Sequence, residues 1–297
     1  MSDDFQSSGL ARGSGSPASK HIAERGAFRD LAVEFVRRRT DLIPNTAIIL
    51  GSGLGGLADK IEDPVVIAYR EIPGFAKSTA GGHRGELITG MLAGSPVVAM
   101  AGRFHRYEGW SIDAVAFPVH VMAALGAKRL IVSNAAGGVN PKLRVGDIVV
   151  IRDHINLMTG QSLCADHSSE LPLGRRGNIY DPWMSSIAMR VAVEEGFTAY
   201  QGTYLATFGP TYETRAEYRM QRKIGADVAG MSTVPEVLAA AEIGLPVLGL
   251  SMVTNVANVD VAVNANHTEV LRAGEAAAAK MESIVARILT MQSGSLD

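Results

Sequence analysis

Residues 46–57 read TAIILGSGLGGL, an apolar run that passes straight into Gly51-Ser52-Gly53-Leu54-Gly55-Gly56. The string satisfies G-x-G-x-x-G, the turn that holds a dinucleotide pyrophosphate on a Rossmann fold. That fold needs the glycines to open a full crossover helix before the next strand. Here only LADKIED separates Gly56 from Pro64, and the apolar run VVIAY follows at once. The interval allows about two helical turns at 3.6 residues each, too few for a crossover. Glu71 falls near the offset of a ribose-binding carboxylate, but it lies between Arg70 and the loop-like IPGF rather than at a strand end. The dinucleotide reading fails on those grounds. A tight turn or an anion nest remains, the latter favoured by Ser52, whose hydroxyl would stand among backbone N–H groups at a strand's carboxyl end.

Working outward, the chain has 297 residues, 47% hydrophobic and 20% charged, with 32 glycines, a profile of a globular protein rich in turns. Its formal net charge of -2 gives no global field for nucleic acid or an anionic membrane, so an anion site must be local. A single cysteine, Cys164, excludes an intrachain disulfide and a cysteine-based metal site, and suits a reducing cytoplasm. No run approaches the roughly 20 apolar residues of a membrane span. Residues 1–20, MSDDFQSSGLARGSGSPASK, have no apolar core of a signal peptide and read as a disordered tail, leaving 21–297 as one domain.

Phe28, Leu31, Ala32, Phe35 and Val36 recur at helical spacing and predict a helix over about 21–39. Short β-branched runs bounded by Gly, Pro or Asn predict strands at TAIIL, VVIAY, ELITGML, PVVAMAG, RLIVSN, DIVVI, TYLATFG and PVLGLSMVTN. Between them, helical patterns cover 111–125 (with Pro118 as a kink), 184–195, 214–224 and 234–243. Each is followed by a glycine suited to a C-cap, namely Gly126, Gly196, Gly225 or Gly244. A last helix spans about 267–291. Strands alternating with helices make an α/β architecture on a central, partly parallel sheet.

Polar residues gather just after the predicted strands, where open α/β sheets bind ligands. AGRFHRYEGW sets Arg103, His105 and Tyr107 two residues apart, on one face if extended. STAGGHRGEL puts His83 among glycines. SNAAGGVNPKLRVGD reads as a small-residue loop offering the backbone N–H groups of Ala135 and Ala136. FGPTYETRAEY supplies Tyr212 and Glu213, GMSTVPEV supplies Met231 and Ser232, SMVTNVAN supplies Thr254 and Asn255, and NANHTEVL supplies His267. Each segment alone is equally compatible with packing or a solvated surface. His21, His120, His154 and His167 read as structural or surface residues.

Eight segments, in order from ILGSGLGGL through STAGGHRGEL, GRFHRYEG, SNAAGGVNPKLRVGDIVVIRDHIN, GPTYETRAE, GADVAGMSTVPEV and VTNVAN to NANHTEV, closely resemble the trimeric purine nucleoside phosphorylases. The resemblance implies a single α/β domain with a mixed sheet and a distorted barrel surrounded by helices, assembled as a homotrimer. It implies reversible phosphorolysis of purine nucleosides and deoxynucleosides, such as inosine and guanosine, to the base and (deoxy)ribose 1-phosphate. Orthophosphate would be a co-substrate, with no cofactor and no metal. By the same resemblance, Ser52, His83, Arg103, His105, the Ala135 N–H and Ser232 would hold phosphate. Tyr107, Met231 and His267 would hold the sugar, and Tyr212, Glu213, Thr254 and Asn255 the purine, with Asn255, His105 and Glu213 closest to catalysis. Where family members carry an RFPDM-like stretch that lends an aromatic to the neighbouring subunit, this chain reads RRGNIYDPWM, and Tyr180 is the candidate for that part.

Two other functions compete. A methylthioadenosine phosphorylase would want an acid in place of Asn255 and an apolar residue in place of His267, and the sequence has neither. A nucleoside-binding protein without turnover would not need the full set of Ser52, Arg103 and His105.

Overall fold

The computed structural model describes residues 17–51, 54–77, 84–158, 178–256 and 267–291, with side chains for all of these except 17–25 and 267–277. Among the described residues, nine strands form one sheet: β1 (Thr46–Leu50), β2 (Glu62–Ala68), β3 (Glu86–Leu92), β4 (Ser95–Ala101), β5 (Leu130–Gly138), β6 (Ile148–Asn156), β7 (Ala199–Ala206), β8 (Val228–Gly230) and β9 (Val247–Val256). Their order is β2-β3-β4-β1-β5-β8-β7-β6-β9, and β9 returns to pair with β5. Strands β5, β8, β7, β6 and β9 therefore close into a five-stranded barrel, and β1 to β4 extend from it as an open wing. Pairing is parallel for β1–β4, β1–β5, β5–β9, β6–β7 and β7–β8 and antiparallel for the rest. The mixed sheet and barrel agree with the expected fold.

Helices cover the sheet on both faces. On one face α1 (Pro17–Arg37), α2 (Ile112–Ala124) and α5 (Val234–Glu242) share a core with Ile49, Val98, Val132 and Val149. On the other, α3 (Pro182–Glu194) and α6 (His267–Thr290) pack on Ile48, Ala99, Ile131, Val150 and Leu250. The alternation of Ile48 and Ile49 between the two cores is the period-2 geometry of a strand buried on both faces. Each fully buried Ile or Leu contributes about 1.5–3 kcal/mol. α4 (Arg215–Lys223) is the polar exception, with only Gln221 buried.

Several boundaries follow local chemistry. Asp181 and Thr214 cap α3 and α4 through their side chains, and Ser111 does so for α2. The helix α1 begins at Pro17, so the last four residues of the expected tail are helical; residues 1–16 lie outside the described residues. The glycine-rich turn leads not into a crossover helix but into a six-residue 3-10 turn, Gly55–Lys60, and then β2, which agrees with rejecting the dinucleotide fold. SNAAGG, expected as a loop, remains strand to Gly138, because β9 runs beside it to Val256 and pairs its backbone whatever the side chains. The three-residue β8 was not foreseen, being too short to show a period.

Candidate functional site

Strand β5 changes neighbours partway along one edge. β1 pairs with it as far as Val132, and β8 takes over at Gly137, while β9 lines the other edge throughout. Between those partners the β5 edge from Ser133 to Ala136 is not covered by a strand. Such a change of neighbour opens a crevice at the carboxyl ends of the strands. A cleft of about 370 Å3 lies there, lined by His105, Tyr107, Ala135, Ala136, Gly137, Pro210, Tyr212, Glu213, Tyr218, Ala229, Gly230, Met231, Thr254 and Asn255. Segments following β4, β7 and β8 thus meet the ends of β5 and β9.

At one pole, Arg103 is only 2% exposed and does not line the cleft. Its Nε donates to Glu236 Oε1 at 3.0 Å, and Nη1 donates to the Ser133 carbonyl at 2.6 Å, with Ser232 Oγ at 3.2 Å and Thr233 Oγ1 at 3.3 Å. The shared face expected for Arg103, His105 and Tyr107 is therefore not formed. Residues 106–108 coil into a 3-10 turn, which sends Arg103 inward and stacks the His105 and Tyr107 rings 4.7 Å apart at 18°. Glu108, part-buried with its side chain 4% exposed and missed by the sequence reading, accepts from the His105 backbone N–H at 2.8 Å and lies 3.0 Å from Nδ1. A carboxylate on Nδ1 fixes the imidazole and turns Nε2 away as the second site of reaction. Its signal was the i, i+3 pairing of His and Glu in HRYE.

Ser232 and Thr233 form a strained corner before α5. Thr233 has φ 74 and ψ -49, and the Val234 N–H donates to the Ser232 carbonyl at 2.8 Å, a γ-turn in the rare conformation. Strain of about 1–3 kcal/mol persists only where surroundings enforce it. Here Asn134 Nδ2 donates to Thr233 Oγ1 at 2.9 Å, and the Ser232 hydroxyl lies 3.1 Å from it.

At the other pole, Glu213 stands before the Thr214 cap rather than inside α4. Thr207 Oγ1 donates to its Oε1 at 3.4 Å and Gln221 Nε2 at 3.3 Å. Asn255 sits at a register shift between β5 and β9, beside Thr254. Thr254 Oγ1 donates to Asn255 Oδ1 at 3.1 Å and approaches the Ala136 carbonyl at 3.3 Å. A Cβ on Gly137 would meet Asn255 Nδ2 at 3.3 Å, so the small residue gives the amide its space. Tyr218 on α4, not picked out from sequence, lines the cleft together with Glu213 and Asn255. Burial is the main cause holding the Tyr107, Tyr212 and Tyr218 phenols above their usual pKa, so each is a proton donor at neutral pH.

Met231 and Tyr107 close the wall between the poles, packed against Gly209; a Cβ there would reach Met231 Sδ at 2.4 Å. The expected site residues His105, Tyr107, Ala135, Met231, Tyr212, Glu213, Thr254 and Asn255 thus come together in one cleft, with Arg103 and Ser232 buried at its edge. Ser52 and His83 lie outside the described residues, and of His267 only the backbone, at the start of α6, is described. Tyr180 does not fit its expected part. It is 2% exposed within its own subunit, its hydroxyl 3.1 Å from His154 Nδ1 and its backbone bridged to Val247. An aromatic committed to that core cannot reach a neighbour's cleft.

A family profile described as Phosphorylase superfamily matches residues 45–290. The purine nucleoside phosphorylase of Rattus norvegicus is 45% identical over 268 residues, covering 86% of this chain and 92% of that protein. Purine nucleoside phosphorylase 1 of Bacillus subtilis (strain 168) is 44% identical, covering 87% of this chain and 96% of that protein. The crystal structure of Schistosoma mansoni purine nucleoside phosphorylase in complex with inosine superposes with a TM-score of 0.81 at 39% identity, over 90% of this chain and 97% of that one. With likeness of that extent in sequence and in fold, the chain belongs to the purine nucleoside phosphorylase family of the phosphorylase superfamily.

Proposed function

We propose that the cleft catalyses phosphorolysis of 6-oxopurine nucleosides, inosine and guanosine with their 2'-deoxy forms, with orthophosphate as co-substrate. The observation that carries the reading is the pairing of two unlike poles across 370 Å3. One has a buried guanidinium, a carboxylate-oriented imidazole and two hydroxyls; the other has a carboxylate beside a primary amide.

Cleaving an N-glycosidic bond builds positive charge on the sugar and negative charge on the purine. Phosphate held by Arg103, His105, Ser232, the Ala135 N–H and, by resemblance, Ser52 and His83 would stabilise the first charge and attack the anomeric carbon. No enzyme nucleophile, cofactor or metal is required by that chemistry. Glu213 would accept from N1–H, while Asn255 would strengthen its hydrogen bonds to O6 and N7 as charge develops there. Donors aimed at developing charge contribute on the order of 10²–10³ in rate. Tyr107 and Met231 would pack on the sugar, His267 would bond its 5'-hydroxyl, and Tyr212 would stack on the base. A cytoplasmic homotrimer belongs to the same proposal. The exposed apolar side chain of Phe208, which a neighbour could cover, supports the assembly.

The test is phosphate-dependent cleavage of inosine, guanosine, xanthosine, adenosine and methylthioadenosine in parallel. Inosine and guanosine should be turned over only with phosphate present. No turnover of either defeats the reading, and adenosine as the best substrate overturns the part given to Asn255.

A further inference from the structure

Helix α4 buries one of its nine side chains, and that one is the amide of Gln221, 1% exposed. Packing alone would place an apolar residue there, because a buried amide must satisfy both its ends. Gln221 satisfies one. Its Oε1 has no hydrogen-bond partner among the described residues, while its Nε2 donates to Glu213 Oε1 at 3.3 Å. The opposite orientation of the amide would set a carbonyl oxygen against a carboxylate oxygen, so the donor end belongs on Glu213. Thr207, just after β7, donates to the same Oε1 at 3.4 Å. Its hydroxyl is equally far from the Gly230 carbonyl, but an ionised carboxylate is the stronger acceptor. At these lengths neither bond is strong by itself. Together they reach one oxygen from two elements.

Both elements are pinned. The Thr207 N–H donates to the Gly230 carbonyl at 2.8 Å, and a capping box between Thr214 and Glu217 fixes the start of α4. Glu213 lies in neither element, so its own backbone does not set the direction of its carboxylate; the two donors do. We propose that Gln221 and Thr207 are positioning residues for base recognition: they hold Oε1 of Glu213 and so turn Oε2 toward the N1–H of a 6-oxopurine. This rests on the phosphorolysis reading above. A role confined to anchoring α4 would be met better by an apolar side chain of the same length.

Gln221→Met separates the two roles, because it keeps an unbranched chain and removes the amide. Loss of a hydrogen bond to a charged group predicts about a tenfold fall in kcat/KM for inosine and a similar weakening of hypoxanthine binding by calorimetry. The unfolding midpoint should hold or rise, the KM for phosphate should stay within about twofold, and the preference for inosine over adenosine should narrow. Thr207→Val removes the other donor and should cost about threefold in the same two measurements. In a cycle with Glu213→Gln, Gln221→Met should weaken hypoxanthine much less than it does alone, because the two act through one network. Inosine kinetics and hypoxanthine affinity both within about twofold of wild type in Gln221→Met would overturn the proposal. So would an equal loss in the phosphate KM, or full additivity in the cycle. Thr207→Val decides the matter even if Gln221→Met fails to fold, since unchanged hypoxanthine affinity there refutes the shared hold on Oε1. Wild-type protein that fails to cleave inosine with phosphate removes the functional reading and this inference with it; active wild type with unchanged variants removes this inference alone.

Discussion

Arg103 illustrates how much a single residue's setting depends on distant sequence. Its planar fork is divided between Glu236, 133 positions away, and the Ser133 carbonyl. Both partners of the ion pair are 2% exposed, so removing one leaves the other charge buried without its counterion. Losses of that kind are about 3–5 kcal/mol. Glu236→Ala is expected to lose stability of that order in chemical denaturation and to raise the phosphate KM more than the nucleoside KM. An unchanged unfolding midpoint would show that the pair does not hold this pole together. Sequence spacing brought out Arg103, His105 and Tyr107 as a group, but not what each faces. The i, i+2, i+4 argument assumes extended backbone, and the 3-10 turn at 106–108 breaks that assumption. Glu236 was illegible for another reason: its partner Arg103 is brought to it by tertiary folding, which no local pattern encodes.

At the scale of elements, the glycine-rich stretch after β1 divides its labour. A Cβ on Gly51 would fall 2.3 Å from the Ser133 carbonyl oxygen and 3.1 Å from Asn134 Cα, both backbone atoms that cannot swing aside. Gly51 is thus required for the approach of β1 to β5, where its N–H also donates to Ser133 Oγ at 3.1 Å. Gly55, within the 3-10 turn, has nothing within 4 Å of the same position. Gly51→Ala should cost about 1–3 kcal/mol through forced backbone shifts. Gly55→Ala should stay within about 0.5 kcal/mol, as surface changes usually do. Equal melting temperatures for the two variants would contradict the close-approach argument. The long elements were legible because their signals are redundant: apolar period, polar N-cap and terminal glycine agree for α2 and α3, while the cap and the glycine alone mark α4. β8 carries no such redundancy. The extension of β5 was hidden because its Ala and Gly residues have the composition of a loop and are strand only through β9.

For the whole molecule, the barrel must be joined to the outer helices, and His154 marks one such joint. It sits on β6, 3.1 Å from the hydroxyl of Tyr180, which leads into α3, with the two rings edge to face. Burial lowers the His154 pKa below its ordinary 6.5, with the nearby Asp153 charge opposing in part. The neutral ring is the form the fold accepts. Its contribution is therefore complete above about pH 6.5, where folded and unfolded chains are both neutral. It is lost as pH falls and the unfolded chain binds a proton the folded one resists. Melting temperature should decline on acidification below that value, and His154→Asn should decline less steeply. Parallel curves for the two proteins would rule His154 out. The barrel's closure itself came from the family resemblance, since periodicity alone predicts a central sheet and says nothing of β9 returning to β5.

That return has a metric consequence. Ala135, beside the pole proposed for phosphate, and Gly137, against the amide proposed for the base, are two residues apart on one continuous strand. A strand advances about 3.3 Å per residue, with little give. The barrel wall therefore acts as a ruler between the two reactants, graduated in peptide units. Side chains at either end can change without altering the interval that the sugar must bridge.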